Sequence, residues 1–413
     1  MSVVMENEPT IANNTLPTGW KWVRLEDICE INPARPRGLS VGANDIVSFV
    51  PMEAVDARSG CITDLQSREY SEVSNGYTYF EEGDVLFAKI TPCMQNGKHS
   101  VAQHLLNGFG FGTTEFHVVR PHKEVASEWV HMFLRQPGVL FLAEQSFTGA
   151  VGQQRVPKEF LRTLPIPLPP LPEQKRIAAI LNEQMAAVEK ARAACEAQLE
   201  AAKILPAAYL RSVFESEEAK KWERIPLGNL CSIEAQLVDP KIQQYCDMPH
   251  ISSENIVGGE CRLQNIRTAL EDGMTSGKFL FRCGDVLYSK IRPYLRKAAK
   301  VDFTGLCSAD IYPLHVNTSK LDSEFLLWLL VSDGFTSYAD EESRRARMPK
   351  LNKEQLFAYK APLPNIHQQQ QIAQDINKQV GACYNLKVKL EAQLVEISRL
   401  PSAILRKAFR GEL

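Results

Sequence analysis

One long segment of this chain occurs twice. Ile177-Ala178 recurs as Ile372-Ala373, a shift of 195 positions. At that same shift, without a gap, Pro167-Leu168-Pro169 recurs as Pro362-Leu363-Pro364 and Glu196-Ala197-Gln198-Leu199 as Glu391-Ala392-Gln393-Leu394. Leu205-Pro206 returns as Leu400-Pro401, and Leu210-Arg211 with Phe214 as Leu405-Arg406 with Phe409. The period exceeds that of common solenoid repeats, so the chain consists of duplicated halves rather than stacked small units.

Each copy has the pattern of one long amphipathic helix, the first over residues 174–214. Steps alternating between three and four define a coiled-coil seam. In the first copy the seam is Ile177, Leu181, Gln184, Val188, Ala191, Cys195, Gln198, Ala202 and Leu205. The second gives Ile372, Ile376, Gln379, Cys383, Leu386, Leu390, Gln393, Ile397 and Leu400. The apolar members expected to pair are Ile177, Leu181, Val188, Leu205, Ile372, Ile376, Leu386, Leu390 and Ile397. A helix over 174–205 is a rod of roughly 48 Å that buries only a narrow stripe, so it needs a partner. The other copy is available, and antiparallel pairing would hold two globules at opposite ends. On its own, such a helix is as often a dimerisation element. Its duplication favours a spacer that measures something, and one turn of duplex DNA, about 34–36 Å, is a ruler of that size.

The expected fold class is α+β, two globules joined by two long helices with an internal pseudo-two-fold repeat. The segments are a loose tail (1–16), a first globule (17–165), a first spacer helix (166–216), a second globule (217–360) and a second spacer helix (361–413). Both globules open alike, with Trp20-Lys21-Trp22-Val23-Arg24-Leu25 before Ile28-Cys29 and Trp222-Glu223-Arg224-Ile225-Pro226-Leu227 before Leu230-Cys231. The best internal match outside the helices is Gly83-Asp84-Val85-Leu86-Phe87-Ala88-Lys89-Ile90-Thr91-Pro92 against Gly284-Asp285-Val286-Leu287-Tyr288-Ser289-Lys290-Ile291-Arg292-Pro293. Gly-Asp ahead of a β-branched run is a turn into a strand, and the proline ends it. Further strands are expected at Phe116-His117-Val118-Val119 and Asp310-Ile311-Tyr312. Short helices should follow, capped at Ser127 and Ser323. The proline run 165–172 excludes helix before it and permits helix after it.

Several function classes are unsupported. There is no GxxxxGK[ST] loop, HExxH or GxSxG. Gly108-Phe109-Gly110-Phe111-Gly112 leads into a strand pattern, so it is a structural turn rather than a cofactor loop. His99, His104 and His117 are irregularly spaced and fit loop histidines better than a metal set. The ten cysteines are scattered without CxxC pairs, as expected for reduced cytoplasmic thiols and against a zinc site. The N-terminus has no signal-peptide core, and no run approaches a membrane span. The net charge of −2 means that any nucleic-acid surface must be local.

Local basic segments exist. Lys278, Lys290, Arg292, Arg296 and Lys297 fall in a stretch interleaved with Phe279, Phe281, Tyr288 and Tyr294, and Arg344, Arg345 and Arg347 form a second cluster beside Lys350. In the first half Lys89, Gln95, Asn96 and Lys98 follow the matched strand, and Gln153, Gln154 and Arg155 precede the spacer. These are the side chains that clamp phosphates and read base edges. A single such run is more often a solvated face. Two polar or basic loops at equivalent places that differ from each other favour base reading, each loop suited to a different half-site.

The combination resembles the specificity subunits of type I restriction-modification systems. The carrying features are Leu16-Pro17-x-Gly19-Trp20, the paired Gly-Asp-Val-Leu strands, Phe111-Gly112-Thr113-Thr114-Glu115-Phe116, the proline run before Glu173-Gln174-x-x-Ile177-Ala178, and Ala408-Phe409-Arg410-Gly411-Glu412-Leu413. The pattern departs from the family at Val213-Phe214-Glu215-Ser216, and Gln368 stands where the first repeat has Glu173. The resemblance implies two target-recognition domains, each reading half of a split duplex-DNA site, with the helices setting the gap. It implies a non-catalytic subunit that docks two modification subunits, which use S-adenosylmethionine to methylate adenine, and restriction subunits, which use ATP and Mg. Two alternatives stand beside it: the specificity subunit of a type IIB system, and a coiled-coil scaffold that binds no DNA.

Overall fold

The Gly-Asp signature of each half forms a turn, and the apolar run after it is a fully buried strand. In the computed structural model, which describes residues 16–150, 154–343 and 349–413, these strands are Val85–Ala88 and Val286–Ser289. Gly83 (φ 88°) and Gly284 (φ 92°) take the left-handed conformation that a side chain would oppose. The buried Asp84 and Asp285 carboxylates close the turns by accepting from the backbone N–H of Glu81 (2.7 Å) and Arg282 (2.8 Å). Arg120 holds Asp84 through two hydrogen bonds of 2.8 Å, and His315 meets Asp285 at 3.0 Å.

The chain divides into two units, Met1–Cys195 with Ala392–Leu413 and Glu196–Glu391. In the first, Cys29–Ile31, Phe116–Pro121, Val85–Ala88 and His99–Val101 form an antiparallel sheet in that order. A second sheet runs Gln66–Glu69, Ile46–Val50, Phe109–Gly112, Thr78–Glu81, its middle pair parallel. The glycine-rich stretch therefore lies in a sheet. A Cβ on Gly112 would sit 2.7 Å from the Val50 carbonyl oxygen, so close packing of parallel strands requires glycine there. The second unit repeats the plan. One sheet runs Cys231–Ser232, Ile311–Val316, Val286–Ser289, Ala298–Lys300. The other runs Leu237–Val238, Lys278–Phe281, Gly305–Cys307, Pro249–Ile251, Arg267–Thr268, again with one parallel pair. Helices Ser127–Leu134 and Ser323–Val331 pack their apolar residues into the two main cores. Ser127 and Ser323 are the first helical residues rather than caps. Asp322 caps the second helix by accepting from Phe325 N–H, and Ser127 Oγ donates instead to Gly83 O at 2.6 Å.

The proline run is more than a junction. Pro165–Leu168 is a strand paired antiparallel with Lys21–Arg24, and Lys360–Leu363 pairs likewise with Glu223–Pro226. The long helices then run Leu171–Phe214 and Ile366–Phe409, 44 residues each. Gln174 and Gln369 fasten them to their globules. Each side-chain oxygen accepts from a helix-start N–H (Ala126 or Asp322, 2.9 Å), and each amide donates to a proline carbonyl (Pro169 at 2.9 Å, Pro364 at 2.8 Å).

Within the first unit, Ile177 and Leu181 share a core with Leu405, Ala408 and Phe409. Within the second, Leu210 and Phe214 share one with Ala373 and Ile376. Each unit therefore sets the start of one long helix against the end of the other, antiparallel. Fully burying a side chain such as Ile177 contributes about 1.5–3 kcal/mol. Val188, Ile376 and Leu390 are buried, and Ile372 and Ile397 partly so.

Leu205 and Leu386 correct the seam, being 46% and 43% exposed. The inward positions alternate four then three from Leu181: Met185, Val188, Arg192, Cys195, Leu199, Ala202, Pro206. In the second helix they are Val380, Cys383, Lys387, Leu390, Leu394, Ile397 and Pro401. One seam position per heptad lies a residue later than expected. Arg192 and Lys387 occupy these places with long stems that cover apolar surface; the Arg192 side chain is only 14% exposed, and Lys387 Nζ donates to Glu260 at 2.8 Å.

Candidate nucleic-acid interface

Lys89 and Lys290 leave the ends of the two buried strands. Their backbones are fixed from both sides: Lys89 N–H donates to Glu115 O (2.9 Å) and its carbonyl accepts from Val156 N–H (2.8 Å), while Lys290 does the same with Asp310 O and Leu351 N–H, both 2.9 Å. Bridges Ile90↔Arg155 and Ile291↔Lys350 bring a third segment alongside. Each unit thereby assembles a cation, an acid and a second cation from three separate stretches: Lys89, Glu115 and Arg155, or Lys290, Asp310 and Lys350.

The two trios differ in tightness. Arg155 grips Glu115 with two hydrogen bonds of 3.0 and 3.2 Å, which hold the carboxyl below its usual range. Asp310 stands 3.9 Å from Lys290 Nζ and 4.0 Å from Lys350 Nζ, beyond hydrogen-bond reach, so it neutralises without binding either. Burial lowers the Lys89 ammonium below its ordinary value. Lys290 is lowered by burial first and then by the neighbouring charge of Lys350.

The other predicted residues divide into those held by neighbouring groups and those that are exposed. Lys98 Nζ donates to Met52 O (2.9 Å), and the buried Lys278 to Ser276 O and Oγ. Lys297 is held by Ser253 O, and Arg296 by Val331 O and Asp333. Gln95 donates to Glu144 at 2.6 Å, and the Gln154 carbonyl accepts from Thr91 N–H. These groups staple loops, a use that a charge run in the sequence cannot reveal. Asn96 and Arg292 are exposed. Arg292 opens, and Arg296 closes, the short helical turn Pro293–Leu295; both have left-handed backbone (φ 50° and 49°), and Tyr294 stands 52% exposed on the turn. Of the interleaved aromatics, Phe281 and Tyr288 are core residues. Gln153, Arg344, Arg345 and Arg347 lie outside the described residues.

Glu115 and Asp310 are members of the trios that basic residues alone do not point to. The signal was present: Glu115 to Asp310 and Arg155 to Lys350 are both shifts of 195, the same as between the long helices. Among the described residues no group of three or more His, Cys, Asp or Glu is arranged to hold a metal ion, and no helix is long and apolar enough to cross a membrane. His99 is instead buried flat against Phe87, ring centroids 4.1 Å apart.

Comparison with known proteins places this architecture. The Escherichia coli type I restriction enzyme EcoEI specificity subunit is 35% identical over 216 residues, and the EcoAI specificity subunit, also from E. coli, is 34% identical over 216. Each alignment covers 51% of this chain and 36% of the relative, so the matched stretch spans about a third of those proteins. The fold matches the HsdS subunit from Thermoanaerobacter tengcongensis (TM-score 0.68, 23% identity, covering 98% of this chain and 100% of that one). It also matches a chain of a solved type I R-M system assembly (TM-score 0.74, 22% identity, covering 97% and 100%). The family model described as type I restriction modification DNA specificity domain matches twice, over residues 17–197 and 219–396. With both halves so matched, the chain belongs to the family of type I restriction modification DNA specificity domains.

Proposed function

We propose that this chain is the sequence-reading subunit of a type I restriction-modification complex and is itself non-catalytic. The observation that carries this is the double match of the DNA specificity family onto two halves, each built on two sheets of like plan and ending its buried strand in an equivalent charged trio. Each half reads one part of a split duplex-DNA target. Phosphate contacts set its register and loop side chains test the bases, at about 1–3 kcal/mol for each good bidentate pair. The paired helices set the gap and dock two modification subunits, so that discrimination multiplies only when both half-sites are engaged together. S-adenosylmethionine belongs to those modification subunits, and ATP with Mg to restriction subunits. The chain itself holds no cofactor and works in the cytoplasm, where host DNA is.

The test is methylation-sensitive sequencing of host DNA with the gene intact and deleted. Loss of adenine methylation at one two-part motif is the expected result. An expressed, assembled complex whose removal leaves the methylome unchanged would overturn the proposal.

A further inference from the structure

We infer that the Lys89–Glu115–Arg155 and Lys290–Asp310–Lys350 trios are equivalent anchoring sites for DNA backbone phosphates, in which the carboxylate stands in for a phosphate and restrains binding to off-target duplex. This rests on the DNA-reading function proposed above and names the groups that carry its sequence-independent part.

Three observations support it. First, the trios are built identically from three chain segments, with matching backbone hydrogen bonds around each lysine. Two surfaces that read different half-sites must differ, whereas the phosphate backbone is the same at both. A feature repeated in both units therefore suits the backbone better than the bases. Second, each trio carries two cations against one acid. In the second unit the acid stays beyond hydrogen-bond distance of both ammonium groups; Lys290 Nζ gives one donor to the Ala309 carbonyl, and its other two N–H groups, with those of Lys350, can serve a phosphate oxygen. Third, the outer members face water. Arg155 and Glu115 are 48% and 24% exposed, Lys350 and Asp310 50% and 47%. Each lysine is partly desolvated and lowered in pKa, so an arriving anion meets a cation whose hydration is already reduced.

The carboxylate then acts as a gate. A phosphate that enters must displace it, and the trio gains only the difference between two anions. Off-target duplex, held by backbone contacts alone, loses most from that competition. A matched half-site adds base contacts that overcome it.

The experiment uses the full chain, assembled with its modification subunits, and a short mixed-sequence duplex that lacks the methylated motif. Affinity is followed from about 50 to about 200 mM salt. Asp310→Asn is expected to tighten off-target binding several-fold at low salt, with the gain fading as salt rises, and Glu115→Gln to do the same. Lys350→Gln and Arg155→Gln should each flatten the dependence of log affinity on log salt by up to about 0.9, the slope of one phosphate contact. Asp310→Asn carries the test even if Glu115→Gln, which disturbs a two-hydrogen-bond pair, loosens the fold. Off-target affinity unchanged or weakened in Asp310→Asn would overturn the gate. So would a changed motif preference with off-target binding unaltered, because the acid would then be reading a base. Absence of salt-dependent duplex binding by the unaltered assembly would instead bring down the DNA-reading proposal itself.

Discussion

Phe409, near the end of the second long helix, lies in the core of the first unit. Its ring is 4.4 Å from that of Trp129 and 5.3 Å from that of Phe133, and the residue is 7% exposed. Phe409→Ala removes the whole ring from between these partners. Such truncations cost about 3–5 kcal/mol through lost transfer energy and the cavity left behind. The last turn of a helix can settle partly into the space, so the lower end, about 3 kcal/mol, is expected. With a urea m-value of about 2–3 kcal/mol/M, the first unit's midpoint falls by roughly 1–1.5 M. Tryptophan fluorescence reads this transition directly, because Trp20 and Trp129 sit edge to face in the same core at 5.5 Å. The counterpart Phe214→Ala, whose ring lies 5.5 Å from Phe325, should lower the second unit's transition. A change from Phe409→Ala within about 0.5 kcal/mol of zero, the range of ordinary surface substitutions, would refute this packing of the helix end.

Two further outcomes follow from backbone space and thiol burial. Gly112→Ala should cost about 1–3 kcal/mol, because its Cβ meets the Val50 carbonyl at 2.7 Å, whereas Gly381→Ala, with nothing within 4 Å, should gain about 0.5–1 kcal/mol of helix propensity; thermal melting compares them. Burial pushes the Cys29 and Cys231 thiols up to about 12, so both stay protonated and unreactive at about pH 8, while the exposed Cys61 and Cys283 should label first. Mass spectrometry of briefly labelled native protein checks this, and early modification of Cys29 or Cys231 would contradict the burial.

What the sequence made legible is what backbone geometry dictates locally. The Gly-Asp turn, the buried strand after it and the long helices each rest on short-range rules, and the structure contains all of them. The seam was legible only to within one residue. Leu205 and Leu386 look like better seam members than Pro206 and Lys387, yet the helical angle turns the latter inward. Hydrophobicity and angle disagree there, and the angle prevails because a rigid helix cannot twist for one side chain. Site residues were the least legible. Lys98, Lys278 and Lys297 look like ligand-binding cations until the carbonyls of Met52, Ser276 and Ser253 are seen beside them. The Met52 and Ser253 carbonyls are 46 and 44 residues away in sequence, and no composition or spacing rule brings them near.

The two halves agree where a shared task would require it and differ where a specific one would. Lys89 and Lys290 have the same backbone partners, and the acids beside them repeat at the spacing of the helices. Just beyond these lysines the likeness ends. In the first half the segment after Pro92 carries Gln95, tied to Glu144, and an exposed Asn96. In the second the corresponding segment is the turn Pro293–Leu295, flanked by left-handed Arg292 and Arg296 and presenting Tyr294. Asp333 anchors the Arg296 side of that turn, and the Arg292 N–H donates to Pro349 O. Left-handed backbone at two non-glycine residues costs free energy and persists only where the surroundings over-determine it. A loop whose sole task was to connect two strands would have no need of that strain. A loop that must present one arginine and one aromatic ring in a fixed direction would, and the proposed division between backbone anchoring and base reading gives this loop, beside the second trio, the base-reading task.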